Sequence, residues 1–122
     1  MDLKKFFVVG LSYKHASLAI RESFSLSLQS SNLLLKNAKK NGVSELIVNS
    51  TCNRTELYGM VYQKEELIDL LCVHTKGNIK LFNEVGYSLE GSNAINHIFR
   101  VGSGLESQIL GDFEIIGQLK KS

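Results

Sequence analysis

The chain has 122 residues, 43% of them apolar and 21% charged, with no proline and no tryptophan. That balance suits one domain able to bury a core without cross-links, and it excludes extensive disorder. The net charge of +2 admits an anionic partner but lacks the basic excess of a dedicated nucleic-acid binder.

The chain's first long apolar run, Phe6 to Leu11, has the pattern of a strand covered on both faces and leads into the loop Ser12-Tyr13-Lys14-His15. Between Ser17 and Asn41 the period becomes helical. Leu18, Ile20, Phe24 and Leu26 mark a short irregular piece, and Leu33, Leu34, Leu35 and Ala38 a longer helix that Gly42 is placed to end. A second strand is predicted over 45–49 and a third over 56–62, as a hairpin bent around Cys52. A helix is predicted over 64–74, with Leu67, Ile68, Leu70 and Leu71 inward, and 79–87 carries a weaker strand signal. This βαββαβ order predicts an α+β, ferredoxin-like sandwich with an antiparallel sheet over 1–90.

From 91 to 122 the character is helical. Ser92 suits an N-cap for 93–101, Gly102-Ser103-Gly104 interrupts, and Leu105, Ile109, Phe113 and Ile116 form a further stripe, giving C-terminal helices on a single domain. Gln118 to Ser122 carries no helix-ending signal, so the chain is expected to be cut from a longer one. With no signal peptide and no apolar stretch near the roughly 20 residues that cross a membrane, the expected setting is a reducing cytoplasm with both cysteines free.

Chemistry concentrates in Ser50-Thr51-Cys52-Asn53-Arg54-Thr55-Glu56, at the carboxyl end of a strand, where α/β sheets present ligand sites. A free cysteine is most often a small buried hydrophobe, and that reading would give Cys52 apolar neighbours. Its neighbours are Thr51, Asn53 and Arg54, and a nearby cation favours the nucleophilic thiolate form of a cysteine; composition leaves reactive and structural readings evenly matched. Cys72, between Leu71 and Val73 on an apolar helix side, reads as core. His97 lies at the border of a helix's buried face, as either a hydrogen-bonded boundary residue or a proton donor and acceptor for Cys52. No paired CxxC or HxxxH provides a metal site. Gly102-Ser103-Gly104 lacks the third glycine and preceding strand of a dinucleotide fingerprint, because position 107 is Ser107.

Three blocks resemble the amino-terminal catalytic domain of the glutamyl-tRNA reductase family. They are Val9 to Ala16 with Arg21-Glu22, Ser50 to Tyr58, and His97 to Val101 running through Gly104 to Ser107, Leu110-Gly111 and Gly117-Gln118. The resemblance implies that Cys52 attacks the ester joining glutamate to tRNA and forms a glutamyl thioester, which NADPH reduces to glutamate semialdehyde at the start of tetrapyrrole synthesis. It implies proton transfer by His97 and glutamate recognition by Thr51, Cys52, Asn53 and Arg54, with the Arg54 guanidinium on the substrate's side-chain carboxylate. Ser107 and Gln118 match further pocket positions. Asp112, Phe113 and Glu114 stand where the family reads Glu-Pro-Gln, and an acid at Glu114 is unfavourable beside a carboxylate-bearing substrate.

The family's NADPH-binding and dimerisation domains have no counterpart in these residues. The chain is therefore expected to bind no cofactor itself and to hydrolyse its thioester slowly. Implied partners are glutamyl-tRNA, glutamate semialdehyde aminomutase as receiver of the product, and a second copy in the full-length homodimer. A glutamate- or tRNA-end-binding module without chemistry is the alternative. A third reading is an unrelated cysteine hydrolase.

Overall fold

A computed structural model describes residues 3–101 and 108–110. The elements, in chain order, are β1 (Lys5–Ser12), α1 (Leu18–Ser23), α2 (Leu28–Lys40), β2 (Leu46–Ser50), β3 (Arg54–Val61), α3 (Lys64–Val73), α4 (Ile79–Val85), β4 (Tyr87–Glu90), α5 (Gly91–Val101) and β5 (Gln108–Leu110). The strands form one sheet in the order β4-β1-β3-β2-β5, antiparallel at every described pairing. The molecule is an α+β fold.

Both faces of the sheet are covered, which explains the unbroken apolar run of β1. Phe7, Val9 and Leu11 turn to one side and join Leu46, Val48, Leu57 and Val61 in a core closed by Leu34 and Ala38 of α2, Leu67 and Leu71 of α3 and Phe82 of α4. Phe6 and Val8 turn to the other side, where Ile47 and Tyr58 meet Ala94 and Ile98 of α5. The alternation of a strand's side chains therefore puts Glu56 on the α5 face with Tyr58. Gly10 of β1 stands directly opposite Glu56. A Cβ on Gly10 would lie 2.7 Å from Cγ of Glu56 and closer still to the Thr55 carbonyl oxygen, so a glycine lets the two strands and the glutamate pack together here.

Helix boundaries follow local chemistry. Ser17 and Ser27 cap α1 and α2 by accepting from the amides of Ile20 and Ser30, and Gly42 takes φ +86° just past α2, as expected of a helix-ending glycine. Gln63 and Glu66 form a reciprocal capping box at the start of α3.

Three expectations are corrected. The segment 79–87 is not a strand: Asn78 accepts from the amide of Leu81 at 2.8 Å and starts α4, which buries Phe82 edge-on against Phe24 at 6.3 Å between ring centroids. The strand begins only at Tyr87. Ser92 does not cap α5, which starts at Gly91 with φ +61°. The helical stripe predicted through Ile109 is instead, at Gln108–Leu110, an edge strand paired with β2. It occupies backbone groups of β2 that would otherwise be an open sheet edge. The chain after β4 is thus not wholly helical, and the rest of that stripe lies outside the described residues.

Candidate functional site

Cys52 sits in the turn joining β2 to β3, and its residue is exposed. The turn is shaped by its own residues. The amide of Thr51 donates to the carbonyl of Arg54 at 2.8 Å, and the Thr51 hydroxyl accepts from the amides of Asn53 and Arg54 at 3.2 and 3.3 Å. Such side-chain-to-backbone bonds substitute for ladder bonds where the chain must reverse.

Outside contacts then anchor the turn. Arg21 bridges two loops, with Nε donating to the Cys52 carbonyl at 3.0 Å and Nη1 to the Ala16 carbonyl at 2.6 Å. The amide of Tyr13 donates to the carbonyl of Asn53 at 2.8 Å. Below the turn, Ser50 Oγ accepts from the amide of Leu26 at 3.0 Å and lies 2.9 Å from Thr55 Oγ1. The cysteine is therefore exposed on a braced backbone. Its Sγ lies 3.9 Å from Asn53 Oδ1.

The polar centre beside the turn is Glu56, whose side chain is fully buried. Its Oε1 accepts from Tyr58 Oη at 2.6 Å, and its Oε2 from Tyr87 Oη at 2.6 Å and His97 Nε2 at 2.5 Å. Arg54 Nη1 approaches Oε1 at 3.6 Å. The Tyr87 and His97 rings meet edge-on at 5.8 Å, and Asn49 Nδ2 donates to Tyr58 Oη at 3.3 Å. Burial alone would raise the Glu56 pKa. The bonds from His97, Tyr58 and Tyr87 and the charge of His97 together outweigh it and hold the carboxyl below the usual carboxylate value. For both tyrosines, burial and then the Glu56 charge push the phenol pKa far above its ordinary range.

A cavity of about 210 Å³ opens over this centre, its lining including Lys14, His15, Arg54, Tyr87 and His97. Lys14 and Arg54 bring two positively charged side chains to this lining. A larger groove, about 490 Å³, runs between α3, α4 and β4 and, of the residues of this centre, is lined by Tyr87 alone. Among the described residues, no three His, Cys, Asp or Glu side chains converge to hold a metal ion. No described helix is long and apolar enough to cross a membrane.

A model of the "Glutamyl-tRNAGlu reductase, N-terminal domain" matches residues 9–122. The chain belongs to the glutamyl-tRNA reductase family. It is 53% identical over 117 residues to the glutamyl-tRNA reductase of Christiangramia forsetii, covering 96% of this chain and 28% of that protein. The match to the Acinetobacter baumannii enzyme is 36% over 118 residues, again 96% of this chain and 28% of the relative. The solved glutamyl-tRNA reductase of Methanopyrus kandleri superposes with a TM-score of 0.61 at 30% identity, over 95% of this chain and 26% of that one. The chain thus spans somewhat more than a quarter of the length of these relatives and corresponds to the family's N-terminal domain.

The sequence-derived residues fall into separate groups on this domain. Thr51, Cys52 and Asn53 form the turn, and Arg54 opens β3 beside them. His97 stands on α5, linked to Arg54 through Glu56 and not by any described hydrogen bond to Cys52. Ser107, Asp112, Phe113, Glu114 and Gln118 lie outside the described residues. Sequence reasoning assigned no role to Glu56, Tyr87, Gly10 or Arg21. A signal for Glu56 was present: a carboxylate inside a strand whose neighbours on both faces, Leu57 and Tyr58, are buried must have partners.

Proposed function

We propose that this chain is the acyl-accepting domain of a glutamyl-tRNA reductase, with Cys52 as the nucleophile. The observation that carries this reading is the exposed thiol on the turn braced by Arg21 and Thr51, two residues before Arg54, which lines a cavity with Lys14, His15 and His97. Cys52 Sγ bonds to the carbonyl carbon of the glutamyl ester, the ester C–O bond breaks, and the tRNA ribose hydroxyl leaves with a proton. His97 handles that proton, and the outward part of the Arg54 guanidinium holds the substrate's side-chain carboxylate. Thr51 and Asn53 contribute mainly by shaping the turn. Ser107, Gln118 and the Asp112-Phe113-Glu114 segment complete the pocket.

NADPH supplies the hydride that converts such a thioester to glutamate semialdehyde, making the complete protein an oxidoreductase of tetrapyrrole synthesis. None of the described strand-to-helix turns has the glycine-rich phosphate cradle that a dinucleotide requires, so no reduction step is assigned to residues of this chain. In the same proposal glutamyl-tRNA is the partner, the aminomutase receives the aldehyde, and the full-length protein works as a cytoplasmic homodimer. The fold is a ferredoxin-like sandwich, a reading supported by the β4-β1-β3-β2 order of the antiparallel sheet.

Alone, the chain is expected to release glutamate from glutamyl-tRNA slowly, through a thioester that water or added hydroxylamine cleaves. Hydroxylamine should yield glutamyl hydroxamate with the wild type and none above background with Cys52→Ala. Equal yields would overturn the nucleophile assignment. One observation favours the pure binding module: the thiol has no described hydrogen bond to a cationic side chain. In that case Cys52 would be alkylated no faster than a small model thiol.

A further inference from the structure

We propose that Glu56 is the positioning residue of this site, holding His97 by Nε2 and Arg54 by Nη1, so that Nδ1 is left as the nitrogen of His97 that exchanges a proton with the substrate. A fully buried carboxylate needs partners, and the charged or titratable groups that face it come from three elements. Arg54 and Tyr58 come from β3, Tyr87 from β4 and His97 from α5. Tyr58 itself is fixed from β2 by Asn49. Three of these partners, Arg54, Tyr87 and His97, also line the cavity.

A carboxylate can only accept, so in the neutral ring the proton belongs on Nε2 and the lone pair on Nδ1. Among the described residues Nδ1 has no hydrogen bond. The phenols bind the same carboxylate from two further sides, and Gly10 gives it room. The arrangement resembles the buried aspartate that fixes the tautomer of a catalytic histidine in serine proteases, where the carboxylate orients the ring and stabilises its charged form without itself taking up the proton.

The proton's destination rests on the thioester reading; the tautomer does not, and the two can be tested apart. Imidazole 15N NMR, with the His97 signals assigned by their loss in His97→Gln, reads the tautomer directly. In alkaline buffer the wild type is expected to carry the ring proton on Nε2. A ring protonated on Nδ1 would overturn the proposal without reference to any substrate. Glu56→Gln, whose amide both donates and accepts, is expected to mix the two tautomers. An unchanged spectrum in folded Glu56→Gln would equally overturn it.

Thioester formation from glutamyl-tRNA gives the chemical readout. Glu56→Gln should slow it by roughly 100-fold or more, within the range of a general acid–base contribution, and Glu56→Asp should restore part of the rate. A folded Glu56→Gln that reacts at the wild-type rate would contradict the role. If the wild type formed no thioester at all, the acyl-transfer reading would fall while the NMR result still decided the role of Glu56.

Discussion

At the scale of single residues the site depends on a close approach of two strands: Gly10 has no side chain where the Thr55 carbonyl and Glu56 come against it. Gly10→Ala would put a methyl group 2.7 Å from Cγ of Glu56. Overpacking of this kind typically costs about 1–3 kcal/mol, and thermal unfolding should show the loss. The pH behaviour follows from the same centre. The Glu56 carboxyl is held below its ordinary value of 4.5, so its stabilisation is present above that value and is lost as pH falls through the lower, folded-state value. Tyr58 and Tyr87 are shifted upward, so their neutral forms favour folding below about pH 10 and that advantage is lost as pH rises further, when the unfolded chain ionises first. Alkaline unfolding should therefore begin at higher pH in Tyr87→Phe, relative to its own neutral-pH stability. The Cys52 turn was legible in the sequence because its polar residues are contiguous. The Glu56 centre was not, because Glu56, Tyr87 and His97 are brought together only by strand pairing and the packing of α5.

At the scale of elements, β1, β3, α2 and α3 were readable because each has a sustained apolar period or a clear terminal residue. The segment 79–87 misled because Ile79, Leu81 and Val85 satisfy a loose strand pattern. Asn78 decided otherwise, by offering its side chain to the amide of Leu81 where a helix could start. Asn78→Ala should cost about 0.5–2 kcal/mol through the lost cap. Phe82→Ala should cost more, about 3–5 kcal/mol, because the ring is buried against Phe24; chemical denaturation of the two variants should rank them in that order. Edge strand β5 was hidden for a different reason: three residues carry too little pattern to reveal a strand, and its pairing is set by the exposed flank of β2.

At the scale of the whole molecule, two differently composed faces share one sheet. The side covered by α2, α3 and α4 is an apolar core, while the α5 side combines a smaller apolar cluster with the buried Glu56 network. Cys52 and Cys72 should differ accordingly. Cys72 is half-buried, and burial, then the charge of Asp69, raises its thiol pKa; iodoacetamide at neutral pH should label Cys52 first, with Cys72 following only as the chain unfolds. Arg21→Ala removes the bridge between the Cys52 and Ala16 carbonyls and should lower the rate of acyl transfer more than it lowers melting temperature.

The central claim, that this domain takes the glutamyl group onto Cys52, is tested most directly by acid-quenching the chain with glutamyl-tRNA and mapping the adduct by mass spectrometry. A single glutamyl group on the peptide containing Cys52, labile to hydroxylamine and missing in Cys52→Ala, is the predicted result. An adduct on another residue, or the same adduct yield from Cys52→Ala, would contradict it.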